Sequence, residues 1–149
     1  MYLEHIESPA DVKALPASAM AALCAEIRHA IIESSAKVGG HVGPNLGIVE
    51  LTVALHRVFS SPADKLVFDV SHQTYAHKML TGRAWNYLDP ERMGTLSGFA
   101  SPVESEHDHF SMGHTSTSVS LAAGLARARD LAGDRYDVVA VIGDGSLSG

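Results

Sequence analysis

Apolar residues between positions 20 and 38 recur at helical spacing. Met20, Leu23, Cys24, Ile27 and Ile31 fall on one face of a 3.6-residue period. The pattern predicts a helix running to about Val38 and stopped by Gly39-Gly40, since glycine enters a left-handed cap freely. Ahead of it, Ser8-Pro9-Ala10-Asp11 predicts a short helix with Ser at the N-cap, Pro at the first helical position and an acid in the first turn. Pro16 ends or redirects it. His41 to Asn45 is a loop, and Leu46 to Phe59 predicts another helix, with Ile48, Leu51, Leu55, Val58 and Phe59 as its buried stripe. Lys65 to Val70 is short and mostly apolar, a strand suited to a sheet covered on both faces. His72 to Thr81 predicts a helix stopped by Gly82.

From Arg83 to Gly113 the periodicity is lost, and Gly94, Gly98 and Pro102 punctuate the segment. A loop this long inside a compact domain is usually functional or mobile. Ser116 to Leu131 predicts a helix, with Arg127 and Arg129 near the end where the dipole favours cations. Tyr136 to Ile142 is the clearest strand, and it runs into Gly143-Asp144-Gly145. Two strands separated by helical segments predict an α/β fold, a parallel sheet flanked by helices. In such sheets ligands sit beyond the carboxyl ends of the strands, so the residues after Val70 and Ile142 carry most interest.

Composition narrows the class. The chain has 149 residues, 46% hydrophobic and 19% charged, which fits one globular domain and excludes a disordered chain, a collagen-like fibre and a coiled coil. A net charge of -6 leaves no basic footprint for nucleic acid. The single cysteine, Cys24, excludes an intramolecular disulfide and a Cys-rich zinc site; on an apolar helix face it is expected to be buried and inert. No apolar run is long enough to span a bilayer, and the N-terminus lacks a signal peptide. The expectation is a cytoplasmic protein with no membrane partner.

The candidate chemistry lies at the strand ends and at one helix start. In Gly143-Asp144-Gly145, Asp144 offers the hard carboxylate that Mg2+ prefers, between glycines that let backbone approach a ligand. A tight Asp-Gly turn without ligand is the alternative. Gly143 to Ser148 also approximates a dinucleotide fingerprint, with Ser148 where a third Gly or Ala belongs. Gly113-His114-Thr115-Ser116-Thr117-Ser118 precedes a helix, where N–H groups, hydroxyls and an imidazole suit a phosphate. An ordinary Ser/Thr cap explains one of those hydroxyls. His72 follows the first strand, and His41 lies in a glycine-flanked loop. His107 and His109, among Glu104, Glu106 and Asp108, have no second ligand pair, so a solvated acidic loop fits better than zinc. His5, His29, His56 and His77 are expected to be structural or on the surface.

Taken in order, these motifs form a known set: Gly39-Gly40-His41-Val42-Gly43-Pro44-Asn45, Asp69-Val70-Ser71-His72-Gln73-Thr74-Tyr75-Ala76-His77-Lys78, Leu80-Thr81-Gly82-Arg83, Gly113-His114-Thr115-Ser116 and Gly143-Asp144-Gly145. The chain resembles, over nearly its whole length, the N-terminal part of the 1-deoxy-D-xylulose-5-phosphate synthase family, thiamine-diphosphate enzymes of the transketolase superfamily. The resemblance implies a transferase that joins pyruvate to D-glyceraldehyde 3-phosphate with loss of CO2, feeding isoprenoid, thiamine and pyridoxal synthesis. It implies thiamine diphosphate and Mg2+ as cofactors and a homodimer for the full-length enzyme. By the family pattern Asp144 is a Mg2+ ligand, and His72, Gly113, His114, Thr115, Gly145 and Ser146 contact the cofactor. His41 resembles an active-site histidine near the substrate, and His72 is a second catalytic candidate. Residues 1–149 would then form the N-terminal part of the diphosphate-binding domain, cut within the metal motif, and alone would neither bind cofactor tightly nor turn over. Ser71 stands where the commoner pattern has glycine, and Ser146-Leu147-Ser148 replaces Ala-Met-Thr, marking a divergent branch. Three other readings stay open: a transketolase-like subunit completed by another chain, a Rossmann-type dinucleotide binder, and a non-catalytic fragment.

Overall fold

The computed structural model describes residues 1–148. The chain forms two compact units. The first takes Met1–Ser60 with Gln73–Gly98; the second takes Ser61–His72 with the chain from Phe99 onward.

The first unit is helical. Helix α1, Pro9–Ala14, starts where its cap residues predict. The Asp11 carboxylate accepts the Ser8 hydroxyl at 3.0 Å and the Glu7 N–H at 3.0 Å, and these bonds hold its pKa below the usual carboxylate value. Helix α2, Met20–Val38, buries Leu23, Cys24, Ile27, Ala30 and Ile31 and is capped by Gly39. A short helix, α3, Val42–Leu46, occupies the segment expected as a loop. Helix α4, Val49–Val58, follows. The helix expected from His72 is shorter in the fold: α5 is Tyr75–Lys78, continued by an irregular turn, Met79–Arg83, that breaks at Thr81 and Gly82. One more turn of helix, α6, Trp85–Leu88, lies where no periodicity is legible. Leu3, Val12, Leu23, Ile27, Ile31, Val49, Met79 and Leu80 are fully buried at the centre of this unit.

The buried stripe of α4 differs from the expected one. Leu51 and Val58 are 52% and 70% exposed, whereas Val49, Thr52, Val53, Leu55 and His56 are buried. The two polar members have internal partners, which is why burial does not penalise them. Thr52 Oγ1 donates to the Ile48 carbonyl at 2.9 Å. His56 Nε2 and His77 Nδ1 share a hydrogen bond of 2.9 Å, with the rings stacked 5.0 Å apart.

The second unit is the α/β part. Strand β1, Lys65–Phe68, pairs in parallel with β2, Val138–Val141, in the register Lys65 to Val138 through Phe68 to Val141. Helix α7, Ser118–Ala132, leads into β2 and packs on both strands. A single turn, α8, Asp144–Leu147, follows β2. Leu66, Val67 and Phe68 are buried, as a strand covered on both faces requires, while β2 is half-exposed up to Val141. Because the strands are parallel, the chain leaves both at the same edge. The Asp69 N–H extends the ladder there by donating to the Val141 carbonyl at 2.7 Å. Among the described residues no helix is long and apolar enough to cross a membrane.

Candidate functional site

The second unit gathers most of the site residues at that carboxyl edge. Asp69, Val70, Ser71 and His72 leave β1 there, and Gly143 to Ser146 leave β2. The loop Gly113–Thr117 enters α7 beside them, and Ser116 Oγ donates to the Ser146 carbonyl at 2.7 Å. That bond ties the Gly113–Thr115 motif to the Asp144–Ser146 motif. Gly113, His114 and Thr115 are exposed, as are Asp144 and Gly145. A β-carbon placed at Gly113, Gly143 or Gly145 would meet no atom within 4 Å, so bare backbone faces open space on both loops. One hard carboxylate, glycine backbone and hydroxyls in this arrangement fit a Mg2+-bound diphosphate. Among the described residues no cluster of three or more His, Cys, Asp or Glu converges as a metal site.

The start of α7 corrects one expectation. The N–H groups of Ser116, Thr117 and Ser118, which lead into the helix, are taken by the Asp69 carboxylate and are not available to a phosphate. Asp69 Oδ2 accepts from Ser116 N–H at 3.0 Å, and Oδ1 accepts from Thr117 and Ser118 N–H at 3.1 and 3.0 Å. Asp69 is 1% exposed. Burial is the largest single influence and pushes its pKa up, but hydrogen bonding, led by the Ser118 and Ser116 amides and joined by the Ser118 and Ser146 side chains, leaves the carboxyl below its ordinary value. An internal carboxylate therefore caps the helix and offsets its dipole. Sequence reasoning gave Asp69 no role, because its partners lie 47 to 49 residues away.

The edge is also strained. Val70, Ser71 and Ser116 have φ of 58°, 72° and 65°. Each costs roughly 1–2 kcal/mol outside glycine. Ser71 occupies a left-handed position that glycine would take without strain, and its hydroxyl oxygen accepts the Ala100 N–H at 2.9 Å. The serine thus exchanges conformational ease for a tie to the segment after Gly98.

His41 belongs to the first unit, where it precedes α3 and is half-buried. Its N–H donates to the Tyr75 hydroxyl at 3.1 Å, and its carbonyl accepts Asn45 Nδ2 at 2.6 Å. It borders a cavity of about 240 Å³, also lined by Tyr75, Asn86, Tyr87, Ser97 and Gly98. Lys78, fully buried, donates to the Ser97 carbonyl at 2.7 Å and so fixes one wall.

The remaining candidates have structural settings. In the second unit Asp108 is 4% exposed and its Oδ2 accepts the Ser101 N–H at 2.8 Å, so the acidic segment is only partly solvated. His107 Nδ1 lies 2.9 Å from Ser61 Oγ. His56 and His77 pair with each other in the core, while His5 and His29 are exposed. Cys24 is buried as expected, and burial, then Glu50, raises its thiol pKa, with Arg28 opposing.

Comparison with known proteins bears on all of these residues together. Residues 3–149 match the profile of the family described as 1-deoxy-D-xylulose-5-phosphate synthase. The protein of that name from Symbiobacterium thermophilum is 56% identical over 149 residues, which is 100% of this chain and 23% of the relative. 1-Deoxy-D-xylulose-5-phosphate synthase 1 from Geobacter metallireducens is 56% identical over 99% of this chain and 24% of its own. The Thermomicrobium roseum protein is 56% identical over 100% of this chain and 24% of its own. The chain thus spans about a quarter of the length of the curated relatives it matches.

Proposed function

The chain belongs to the 1-deoxy-D-xylulose-5-phosphate synthase family, and from that membership we propose that it supplies the N-terminal part of a thiamine-diphosphate-binding domain. The enzyme it serves condenses pyruvate with D-glyceraldehyde 3-phosphate and releases CO2. Thiamine diphosphate, when bound with Mg2+, supplies the electron sink for that carbon–carbon chemistry.

The chain's own residues bind and orient. Asp144 offers Mg2+ a carboxylate oxygen, and Gly145 and Ser146 lie along the diphosphate. Gly113, His114 and Thr115 line the other side of the same anion, and His72 reaches it from the end of β1. His41 acts nearer the substrate, binding it or moving a proton. No lysine or arginine belongs to this set. With the α7 dipole already offset by Asp69, the metal is the main compensation for the diphosphate charge in this part of the site. The observation that carries the reading is the bond from Ser116 Oγ to the Ser146 carbonyl, which joins the two cofactor motifs at one sheet edge.

The test is a chimera in which residues 1–149 replace the matching segment of the Symbiobacterium thermophilum relative. Mg2+-dependent release of CO2 from pyruvate, coupled to consumption of D-glyceraldehyde 3-phosphate, is expected. A folded chimera that retains neither cofactor binding nor turnover would refute the proposal.

A further inference from the structure

Three hydrogen bonds close a ring around the backbone of His41. The His41 N–H donates to the Tyr75 hydroxyl at 3.1 Å. The Tyr75 N–H donates to Asn45 Oδ1 at 2.9 Å, and Asn45 Nδ2 donates to the His41 carbonyl at 2.6 Å. Asn45 is fully buried and Tyr75 is 6% exposed. Both polar groups of the His41 main chain are therefore gripped by side chains whose rotamers packing has locked. Tyr75 is itself held by the Tyr87 ring, 5.4 Å away at 42°.

The glycines around His41 agree with this grip. A β-carbon at Gly40 would stand 2.7 Å from the Tyr75 hydroxyl oxygen, so only glycine lets that oxygen reach the backbone before His41. At Gly98 a β-carbon would meet the Tyr75 hydroxyl at 3.7 Å and the His41 ring at 4.0 Å. The imidazole and the phenol thus share one wall of the cavity of about 240 Å³ with backbone that carries no side chain. Their rings meet edge-on, with centroids 6.5 Å apart.

We propose that Asn45 and Tyr75 are positioning residues that set the reach of the His41 imidazole into this cavity. The proposal rests on the reading of His41 as a catalytic residue. It assigns Asn45 and Tyr75 no chemistry of their own. Their role is to convert a loop histidine, whose backbone would otherwise have several accessible states, into one with a fixed direction. A misplacement of about 1 Å can lower turnover by roughly 100-fold. Positioning therefore predicts a loss in kcat larger than any loss of stability would explain.

The experiment uses the chimera holoenzyme with Tyr75→Phe, which removes only the hydroxyl, and Asn45→Asp, which keeps the acceptor for Tyr75 and removes the donor to His41. Hydrogen exchange is followed by mass spectrometry on a peptide spanning His41, beside steady-state kinetics and thiamine diphosphate affinity. The expected result for Tyr75→Phe is faster exchange at the His41 amide. For both variants kcat falls by about tenfold or more, while KM for pyruvate and cofactor affinity change less than about twofold. Unchanged exchange and unchanged kcat in a Tyr75→Phe variant, with His41→Ala inactive, would overturn the positioning role alone. Full turnover by His41→Ala would overturn the catalytic reading of His41, and the proposal with it. A fall in kcat matched by an equal rise in KM and a loss of cofactor would also overturn it, since that is the signature of a disrupted binding site and not of a misdirected imidazole; rates are referred to the folded, cofactor-loaded fraction so that partial unfolding is not read as a fall in kcat. Should Asn45→Asp not fold, Tyr75→Phe decides the question.

Discussion

Replacing Asp69 by Asn tests how the loop that enters α7 is held. The carboxylate accepts three N–H groups, from Ser116 at one oxygen and from Thr117 and Ser118 at the other. Asparagine keeps one oxygen. Oriented to retain Thr117 and Ser118, it turns its NH2 group toward the Ser116 N–H, donor against donor. One charge-assisted bond is then lost, at roughly 1.5–3 kcal/mol, and the other two fall to the strength of neutral bonds. Loss of the favourable interaction with the α7 dipole adds about 0.3–1 kcal/mol. Ser116 and Thr117 are half-exposed, so water recovers part of the loss; Ser118 is fully buried and recovers least. The sum is a destabilisation of about 3 kcal/mol near neutral pH, or a fall in Tm of roughly 6–12 °C.

The pH dependence follows from the depressed Asp69 pKa. A carboxyl whose folded pKa lies below its unfolded value contributes stability that is complete above the unfolded value, about 3.9, and is lost as pH falls through the folded one. Thermal melts of wild type and Asp69→Asn at a series of pH values should therefore show a gap that is widest near neutrality and closes in acid. A gap under about 0.5 kcal/mol, or one independent of pH, would refute the cap.

Two further substitutions probe the backbone. Gly82→Ala should lower stability by about 2–4 kcal/mol, seen as a drop in Tm, because φ is +83° and the new β-carbon would stand 2.6 Å from the Glu7 carbonyl oxygen; an unchanged Tm would mean that this turn relaxes freely. Ser71→Gly should relieve roughly 1 kcal/mol of left-handed strain and lose a hydrogen bond of similar worth to Ala100. The expected outcome is a Tm within about 3 °C of wild type and faster hydrogen exchange at the Ala100 amide; unaltered exchange would count against the Ser71 tie.

What was legible in the sequence was chiefly what local chemistry determines. Ser8, Pro9 and Asp11 mark the start of α1, Gly39 the end of α2, and both strands stand out as apolar runs. The order of motifs also identified the family. The buried face of α4 was not legible, because counting apolar residues favours Leu51 and Val58. The fold instead buries Thr52 and His56, whose hydrogen bonds are made by Ile48 and His77. The one-turn helix at Trp85–Leu88 is too short for periodicity to show. In the site, the Gly-His-Thr-Ser run suggested an anion at the α7 start, but the anion found there is Asp69. Asn45 and Tyr75 stood in plain view within their motifs, yet their contacts with His41 and with each other span gaps of 4 to 34 residues that single-segment reasoning cannot join.

In the proposed function, Asp144 holds the metal through which this chain grips a diphosphate. The direct measurement is calorimetric titration of thiamine diphosphate into the chimera, with and without Mg2+, for wild type and Asp144→Ala. Wild type should bind with a strong Mg2+ dependence. Asp144→Ala should bind more than about tenfold more weakly in Mg2+, and close to wild type in its absence. Equal affinity of the two proteins in Mg2+ would contradict the account.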